Sequence, residues 1–371
     1  MSAPTLTLAR RLRASPFETR SLVGARTASV YNHVVLPTSY RSLEEDYWHL
    51  REHVQIWDVG CQVQVEVVGP DAYEFIEYLT PRDVSRCQVG QCIYTPLTDE
   101  NGGIVNDPLV LRLAEDRFWI SLSDSDVMLW AKGLALGRGL DVQVFDPDVF
   151  PVSIQGPKAD DLLSRILGDG IRELKFFRFI ETTIADTPVV VARTGWSGQG
   201  GFEIYLQEPG KGVDLWDALV AAGEGLELLP GCPNLIERIE SGLLSFGNDM
   251  TLANNPLEAG LDRFFKLGKA ADYLGREALE AIAAAGLKQR MARLVIEGEP
   301  VPNPRGVYSI QGTSGEVTGS LTSVAFSPRL GFNVAFGYVP TADAVVGSVV
   351  RVDTPSGVRE AQVVGTDWSL G

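Results

Sequence analysis

Histidine and cysteine are scarce in this sequence, and their scarcity excludes several kinds of chemistry. There are three histidines, all near the N-terminus: His33, His49 and His53. The segment GWSGQGG departs from the GxSxG motif, and no histidine follows it to complete a catalytic triad. There are four cysteines, without a CxxC pair: Cys61, Cys87, Cys92 and Cys232. They are too few for a disulfide framework, so we expect reduced, structural cysteines. Because no histidine completes a triad, we expect no nucleophilic hydrolase.

Basic residues are outnumbered by acidic ones, 32 against 48, which gives a formal net charge of -16. Such a charge repels a polyphosphate backbone, so nucleic acid is not expected as a partner. No apolar run approaches the length that spans a membrane, and no hydrophobic signal segment follows the basic N-terminal residues. The sequence therefore predicts a cytoplasmic protein with no membrane partner.

Motifs for phosphate and zinc binding are also missing, because there is no P-loop, no GxGxxG between a strand and a helix, and no HExxH. His49 and His53 have the i, i+4 spacing that places two metal ligands on one helical face. The Glu, Arg and His residues around them are equally typical of a solvated helix, and no clear third ligand accompanies them. We predict no metal site.

An internal duplication is the main feature that the sequence does contain. The strand, Gly-Pro turn and amphipathic helix of VQVEVVGPDAYEFIEYL recur in FPVSIQGPKADDLLSRIL, and Gly69 and Gly156 of the two turns lie 87 residues apart. Trp130 and Trp216 lie in similar helical segments at an offset of 86. Two landmarks in one register favour a true repeat over the chance recurrence of Gly-Pro turns and Leu-Trp helix starts.

The repeat predicts the fold class. Each copy has the order strand, helix, strands, helix, strand, with units at about 60–145 and 148–230. This order indicates an α+β fold of duplicated ferredoxin-like units around a central cleft, which is the natural ligand site. After residue 290, short Val-rich and Thr-rich runs separated by Gly and Pro are typical of a small β-barrel or sandwich. We assign residues 1–285 to the duplicated core and 290–371 to a C-terminal β-barrel domain.

Carboxylates and aromatic residues in loops are the candidates for chemistry. Tyr94 precedes a glycine turn, and Asp107 stands in an NDP sequence at the start of a strand, where an Asp is commonly a simple turn former. Trp196 lies in a glycine-rich loop, which can serve only to permit a tight bend, or can support an aromatic wall for a cation. Glu203 and Tyr205 follow on a strand, with side chains on one face.

These strings resemble a known family over nearly the entire chain. GGIVNDP, GWSGQGGFEIY, ERIESGLLSFGNDM and EVTGSLTSVAFSP are similar to the glycine-cleavage T-protein superfamily of aminomethyltransferases. The strings VYNHVVLPTSYRSLEEDYWHLREHVQIWDV, TPRDVS, SDSDV and PGCPNLIERIESGLLSFGNDM resemble its dimethylsulfoniopropionate demethylase branch. Members of the superfamily bind tetrahydrofolate between duplicated α+β units, so the resemblance implies tetrahydrofolate as co-substrate.

The resemblance also implies roles for particular residues. Asp107 takes the position of the family's essential aspartate near folate N5, and Glu203 that of the glutamate that bonds the pterin. Tyr94 matches an aromatic residue beside the folate, and Arg238 matches an arginine near the folate's glutamate tail. In the demethylase branch, four positions are expected to line the sulfonium pocket: Tyr31, Ser121, Trp196 and Tyr205.

Several positions depart from the demethylase pattern, and each could reshape the substrate pocket. They are Ile93 in place of a tyrosine before Tyr94, Gly198 in place of a lysine, Phe246 in place of a tyrosine, and Leu257 and Ala259 on either side of a glutamate in place of tyrosine and cysteine. None of them removes a residue to which the resemblance gives a chemical role. The last two revert toward the general superfamily pattern.

The resemblance implies transfer of a methyl group from a small zwitterionic sulfonium, dimethylsulfoniopropionate, to N5 of tetrahydrofolate, by an enzyme that could form a homodimer. The first alternative is an aminomethyltransferase, or a demethylase of a betaine or methylated amine, that uses the same folate pocket. A more distant alternative is a folate-binding assembly factor without catalytic activity. Such relatives carry a KGC-type motif, whereas Cys232 of this chain stands in PGCPN.

Overall fold

The computed structural model describes residues 9–124, 126–312 and 315–369. Ser125, in the SDSDV string that carries part of the narrower resemblance, lies outside the described residues. The two ends of the predicted domains, 1–8 and 370–371, lie outside them as well.

The N-terminal region contributes a free-standing hairpin and one strand of a larger sheet. Its elements are α1 Glu18–Ser21, β1 Thr27–Tyr31, β2 Val34–Ser39, α2 Leu43–Glu52 and β3 Val54–Asp58. The β1–β2 turn has left-handed backbone at Asn32 and His33, with φ of 45° and 64°. Asn32 holds the hairpin to the core, because its side-chain amide donates to the carbonyl of Cys61. Helix α2 begins with a capping box, in which Ser42 and Glu45 satisfy each other's backbone N–H groups.

The first repeat unit folds as predicted. Its elements are β4 Val63–Val68, α3 Ala72–Leu79, β5 Gln91–Tyr94, β6 Leu97–Thr98, β7 Ile104–Asn106, β8 Leu109–Ala114, β9 Arg117–Leu122, α4 Val127–Arg138 and β10 Gln143–Phe145. The antiparallel sheet has the order β10-β4-β9-β8-β5. The path β4-α3-β8-β9-α4-β10 is therefore a ferredoxin-like unit, with β5 added at one edge.

The second unit repeats this path with one difference. Its elements are β11 Phe150–Gln155, α5 Ala159–Leu167, β12 Phe179–Ile184, β13 Thr187–Ala192, β14 Gly201–Leu206, α6 Gly212–Ala222 and β15 Leu228–Gly231, with short 3-10 helices at Asp169–Glu173 and Pro209–Lys211. The sheet has the order β12-β13-β14-β11-β3-β15. Strand β3, from the N-terminal region, is inserted between β11 and β15, and it pairs in parallel with β15.

The two Gly-Pro turns confirm the duplication. Gly69 and Gly156 end the first strands of the two units, with φ of 141° and 121°. A Cβ on Gly69 would collide with the carbonyl oxygen of Asp141, and one on Gly156 with that of His53. Both turns therefore require glycine for the same reason, a close approach of neighbouring backbone. Trp130 and Trp216 lie in the equivalent helices α4 and α6.

The C-terminal part is a closed barrel. The elements that follow the second unit are α7 Leu235–Glu240, a 3-10 helix at Leu261–Arg263, and α8 Arg276–Ala285. The barrel strands are β16 Gln289–Ile296, β17 Tyr308–Gln311, β18 Val317–Ser327, β19 Phe332–Pro340, β20 Val349–Thr354 and β21 Gly357–Val364. Pairing of β16 with β21 closes the barrel. Of the two predicted architectures, a barrel or a sandwich, the C-terminal part is therefore the barrel. The predicted division of the chain at 285–290 stays a prediction.

The two sheets of the core meet each other through a buried cluster. On one side it contains Cys92, Leu111 and Trp119, and on the other Val190 and Tyr205. The rings of Trp119 and Tyr205 lie 5.9 Å apart between centroids. The helices cover the outer face of each sheet, and they form two separate apolar cores. Within the described part of the chain, no helix is both long and apolar enough to cross a membrane.

Candidate functional site

A cavity of about 400 Å³ opens beside the contact between the two sheets. This volume lies within the range of pockets that hold small molecules. Six of the predicted site residues line it: Tyr31, Tyr94, Asp107, Ser121, Trp196 and Glu203. They come from the N-terminal hairpin and from both repeat units, so the cavity is the central cleft that the repeat predicts.

Asp107 lies between β7 and β8, where its carboxyl faces the cavity. The Tyr94 hydroxyl donates a hydrogen bond of 2.6 Å to Asp107 Oδ2. Burial raises the pKa of Asp107 to about 7, although the bond from Tyr94 acts in the opposite direction. The same burial raises the pKa of the Tyr94 phenol well above its ordinary value, so Tyr94 remains the donor. Asp107 can therefore change its charge near neutral pH.

Glu203 forms a second carboxylate in the cavity, and it is almost fully buried. Its Oε2 accepts hydrogen bonds from Thr194 Oγ1 and, at 3.3 Å, from the Tyr205 hydroxyl. Its Oε1 has only a 3.4 Å bond from the Gln62 amide. Burial raises the pKa of Glu203, and the three donors oppose that rise. Oε1 retains capacity to accept further N–H donors from a ligand.

Tyr205 does not line the cavity. Its side chain is fully buried beneath Glu203, where its ring packs against Trp119 and its hydroxyl donates to the Glu203 carboxylate. The structure thus places Tyr205 behind the wall, in contact with Glu203, and not beside a ligand in the cavity. Tyr205 and Glu203 are two residues apart on β14, so their side chains lie on one face of the strand, as the strand pattern predicts.

Trp196 and Tyr31 form an aromatic part of the wall. Two hydrogen bonds fix the loop that carries Trp196 to different segments of the chain. Ser197 Oγ donates to Gln155 Oε1 at 2.7 Å, and the Gln199 amide donates to Glu237 at 2.9 Å. Trp196 and Tyr31 also line a second cavity of about 160 Å³ on their other side. The hydrogen bonds of Ser197 and Gln199 therefore hold the loop around Trp196 in one conformation, so the loop does more than permit a tight bend.

Arg238 lines the smaller cavity and not the larger one. Its guanidinium is bound to Asp249 at 2.7 Å and to Ser323 of the barrel, and it lies 5.7 Å from the centre of the Trp196 ring. The Arg238 and Asp249 side chains are 5% and 0% exposed. Arg238 thus forms a buried ion pair beside a cavity that shares Tyr31 and Trp196 with the large one, and its contact with the folate tail stays a prediction.

Residues that the sequence did not single out also line the cavity, notably Phe176, Phe264 and Arg263. The Phe264 ring meets Tyr94 edge-on at 4.8 Å, and Phe176 remains 64% exposed at the opening. No short motif marks these residues, because they reach the cavity through the packing of distant segments. The FF pairs of LKFFRF and DRFFKL were the available signals, since two adjacent aromatic residues are unusual in a loop.

The departures from the demethylase pattern fall in three different environments. Ile93, Leu257 and Ala259 are buried in apolar clusters and do not line the large cavity, although Ala259 shares its cluster with Tyr94 and Phe264, which do. Phe246 lines the cavity, so it can affect a ligand directly. Gly198 has φ of 67°, and a Cβ on it would collide with Ser241 Oγ. This loop therefore excludes the lysine expected at that position.

The histidine pair lies away from the cavity. The rings of His49 and His53 lie 5.0 Å apart between centroids and are tilted by 50°, and His53 Nδ1 lies 3.0 Å from Lys158 Nζ. Burial and neighbouring cations lower the pKa of His49 to about 4, so its ring is neutral. Over the described ranges, no three potential ligand side chains are grouped around a metal position. All four cysteines are buried and unpaired.

The same domain architecture occurs in known proteins. Residues 17–269 match the GCVT N-terminal domain, and residues 289–368 match the glycine cleavage T-protein C-terminal barrel domain. The chain is 43% identical to a dimethylsulfoniopropionate demethylase from Ruegeria pomeroyi, over 97% of this chain and 98% of that protein. It is 32% identical to an aminomethyltransferase from Symbiobacterium thermophilum, over 90% and 91% of the two chains.

A solved structure shares the fold. The glycine cleavage system aminomethyltransferase T from Bartonella henselae superposes with a TM-score of 0.86 at 24% identity, over 97% of this chain and 98% of that one. The fold predicted from the repeat and the resemblance is thereby confirmed. Both domain matches and the coverage of the relatives lead to one conclusion: this chain belongs to the glycine-cleavage T-protein family of aminomethyltransferases.

Proposed function

We propose that the chain is a tetrahydrofolate-dependent demethylase. It transfers a methyl group from dimethylsulfoniopropionate to N5 of tetrahydrofolate and releases 3-methylthiopropionate and 5-methyltetrahydrofolate. The observation that carries this proposal is one cavity lined both by carboxyl groups, those of Asp107 and Glu203 (the carboxylate wall), and by aromatic rings, those of Tyr31 and Trp196 (the aromatic wall). The 43% identity to the demethylase from Ruegeria pomeroyi supports the choice of methyl donor.

The carboxylate wall fits a reduced pterin. Glu203 Oε1 faces the cavity with one weak partner, the Gln62 amide, so it can accept the N–H groups of the pyrimidine ring. Asp107 is the catalytic residue of the proposal, and Tyr94 fixes the direction of its carboxyl. Tetrahydrofolate, when bound, supplies the N5 lone pair that takes the methyl group. An ionised Asp107 favours the positive charge that develops at N5 in this step.

The aromatic wall fits a sulfonium cation. The faces of Trp196 and Tyr31 can attract the positive sulfur at about 0.5–2 kcal/mol per contact. Ser121, buried on β9, also lines the cavity, and its hydroxyl shares a hydrogen bond with Tyr205. Tyr205 contributes through Glu203, whose carboxylate it orients, and not by direct contact with the substrate. The protein thus holds donor and acceptor in adjacent parts of one cavity.

The reaction needs alignment more than acid catalysis. The carbon–sulfur bond breaks with its electron pair retained by sulfur, a bond forms between the methyl carbon and N5, and the N5 proton leaves to solvent. Because a neutral thioether leaves readily, no protonation of sulfur is required. Holding the two reactants in line can supply about 7–11 kcal/mol of the barrier in favourable cases. This is the role of the rigid loop around Trp196 and of the Tyr94–Asp107 pair.

A second candidate function is the aminomethyl transfer of the wider family. It is favoured by the 32% identity to the aminomethyltransferase from Symbiobacterium thermophilum and by Leu257 and Ala259, which follow the general pattern. A demethylase of a betaine or methylated amine would use the same walls. The role of an assembly factor is less well supported, because Cys232 is 4% exposed and far from reactive.

The experiment is an incubation of the protein with tetrahydrofolate and a panel of dimethylsulfonium, betaine and dimethylamino acids, followed by mass analysis of the folate. We expect 5-methyltetrahydrofolate with dimethylsulfoniopropionate alone, and none with the Asp107→Asn variant. Methylene-tetrahydrofolate with release of ammonia would identify an aminomethyltransferase instead. If no member of the panel alters the folate, the enzyme proposal fails. A cytoplasmic location and a homodimer stay predictions, the latter checked by light scattering.

A further inference from the structure

Strand β1, Thr27–Tyr31, pairs with β2 in a two-stranded sheet that is separate from the sheets of the core. Its residues from Thr27 to Val30 are all exposed. A two-stranded hairpin is only marginally stable by itself, whereas three or more strands can support one another. Among the described residues, no strand pairs with the other edge of β1. That outer edge is therefore open to a further strand.

The outer edge of β1 presents unused backbone hydrogen-bonding groups. The two-residue turn after β1 makes Tyr31 and Val34 a hydrogen-bonded pair. Alternation along the strand then directs the N–H and C=O groups of Ala28 and Val30 away from β2. The pairing of Ala28 with Pro37, which has no N–H, agrees with this alternation. Over the described ranges, no backbone hydrogen bond reaches Ala28 or Val30 from the outer side.

The other strand edges of the molecule are protected in ways that β1 lacks. Natural edge strands are kept from pairing by short length, charged side chains, proline or a covering segment. Strand β10 has three residues, β12 carries the exposed Glu181, and β15 contains Pro230. The edge of β5 is bridged by Arg178. Closure removes the edges of the barrel. Strand β1 has five residues without charge or proline, so its edge is unprotected.

The hairpin is also a long uncharged segment of an acidic chain. From Thr27 to Tyr40 the sequence contains no Asp, Glu, Lys or Arg, although 22% of the chain is charged. Two copies of a chain with net charge -16 repel each other over most of their surface. An uncharged edge is the kind of surface at which two such copies can approach. The edge of β1 is thus suited to self-association.

We infer that β1 is a contact surface for a second copy of this chain, and that two β1 strands pair antiparallel about a two-fold axis at Ser29. In this register, Ala28 of each copy lies opposite Val30 of the other, and both pairs exchange hydrogen bonds through the free groups. The two Ser29 residues face each other as a non-hydrogen-bonded pair, and no like charges meet. The inference goes beyond the proposed function and does not depend on it.

Charges at the end of the strand favour a second copy over a strand from another protein. In the same register, the exposed Arg26 of one copy lies opposite Asn32 of the other. The Asn32 N–H donates to Asp124 Oδ1 at 3.0 Å, so a carboxylate stands beside that position. Neither Arg26 nor Asp124 has an ion-pair partner in the part of the chain that the structure describes. Pairing of two copies brings these opposite charges together twice, once at each end.

The first experiment measures self-association of the full chain by sedimentation velocity over a concentration series. Paired strands of this length cover less area than a standard interface, so we expect a reversible dimer with a dissociation constant in the micromolar range. Ala28→Pro removes an outward N–H without loss of a bond to β2, because Ala28 already lies opposite Pro37. This variant should raise the dissociation constant about tenfold, since each dimer loses two hydrogen bonds.

A second variant keeps the test independent of the proline. Ser29→Lys places two like charges directly opposite each other, and it should weaken the dimer as well. Thr38→Lys is the matched control, because Thr38 is exposed on β2 of the same hairpin and away from the outer edge. It should leave the dissociation constant unchanged. Urea denaturation that matches the unaltered protein would show that Ala28→Pro and Ser29→Lys act on pairing and not on folding.

Cross-linking tests the register. The Cα atoms of a non-hydrogen-bonded pair lie about 4.5 Å apart, within the span of a disulfide. Ser29→Cys should therefore form a disulfide-linked dimer under oxidation by copper phenanthroline, whereas the unaltered protein should not, since its four cysteines are buried. Val23→Cys is the control for random collision, because Val23 is 70% exposed but lies outside the paired strand.

Three results would overturn the inference. The first is a protein that stays monomeric at every concentration while Ser29→Cys remains unlinked, which would mean that the edge serves another strand or none. The second is a dimer whose dissociation constant is unchanged in both Ala28→Pro and Ser29→Lys, which would place the contact elsewhere. The third is cross-linking of Val23→Cys as fast as that of Ser29→Cys. The presence or absence of methyl transfer affects none of these readouts.

Discussion

Tyr94 and Asp107 are joined by a 2.6 Å hydrogen bond in the wall of the cavity, and we predict that this pair sets the pH dependence of activity. If the ionised carboxyl assists transfer, kcat rises as the pH passes about 7, the pKa to which burial raises Asp107. Because the Tyr94 bond stabilises the charged form, Tyr94→Phe should move the inflection to higher pH. A pH profile at saturating substrates measures both.

Tyr31→Phe is the control, since its hydroxyl lines the cavity without a bond to Asp107, and it should leave the inflection in place. If the inflection of Tyr94→Phe stays at the same pH or moves to lower pH, the charge of Asp107 does not determine the rate.

Trp196 is predicted to hold the sulfonium through the face of its ring. Trp196→Ala should raise KM for dimethylsulfoniopropionate by about 2- to 30-fold, the equivalent of about 0.5–2 kcal/mol, and Trp196→Phe by less. Steady-state kinetics with each substrate varied in turn provide the measurement. The KM for tetrahydrofolate should change little. If Trp196→Ala keeps full affinity for the sulfonium, the aromatic wall is not a cation site.

The sequence alone located most of these side chains, because Asp107, Glu203 and Trp196 stand in short motifs that carry the family resemblance. It could not place Tyr205, since alternation along a strand tells which face a side chain takes but not what covers that face. It also could not find Phe264, whose ring packs against Tyr94, or Arg263, which lies against Phe264. Residues brought together by packing leave no local pattern to read.

The loop between β13 and β14 illustrates how one element constrains substrate contacts. Gly198 and Gly200 both have left-handed backbone, with φ of 67° and 81°. A Cβ on Gly198 meets Ser241 of the segment after α7, whereas a Cβ on Gly200 meets nothing within 4 Å. Gly200→Ala therefore incurs only the conformational cost of about 1–2 kcal/mol, and Gly198→Ala should cost distinctly more. Urea denaturation of the two variants measures the difference. Equal losses would show that Ser241 moves aside freely and that the loop is less rigid than the structure implies.

Strand β3 shows where prediction at the level of elements reached its limit. The repeat gave the order of strands and helices within each unit, and the structure confirms it for both sheets. The predicted units begin at about residue 60 and leave out residues 54–58, yet β3 pairs with β11 and β15 of the second unit although it precedes the first. Pairing between segments so distant along the chain depends on the packed sheet and not on local sequence.

The barrel is attached to the core by a buried polar network around one ion pair as well as by apolar packing. Asp249 accepts hydrogen bonds from Arg238 at 2.7 Å and from Thr322 and Ser323 of strand β18 at 2.7 and 2.6 Å. Asp249→Ala leaves the Arg238 charge buried without a carboxylate partner, so we expect a loss of about 3–5 kcal/mol in the free energy of unfolding. Chemical denaturation measures this loss.

The exposed pair of Arg20 and Asp217 provides the control for that prediction. Asp217→Ala removes an ion pair of similar length, 2.8 Å against 2.7 Å, in a setting where water screens both charges. Its stability should stay close to that of the unaltered protein. If Asp249→Ala is tolerated equally well, the polar network does not fix the barrel, and the apolar cluster around Phe336 and Trp368 must do so alone.

The whole molecule places two reactants between its repeat units, and the central claim is that a complete methyl group passes from sulfur to nitrogen. The most direct test uses dimethylsulfoniopropionate with fully deuterated methyl groups, incubated with tetrahydrofolate and the unaltered protein. We predict that the folate product, by mass, is 5-methyltetrahydrofolate that retains every deuterium of one methyl group, with an equal amount of 3-methylthiopropionate. A methylene-tetrahydrofolate product, or a folate without deuterium while the sulfonium is consumed, would contradict this account.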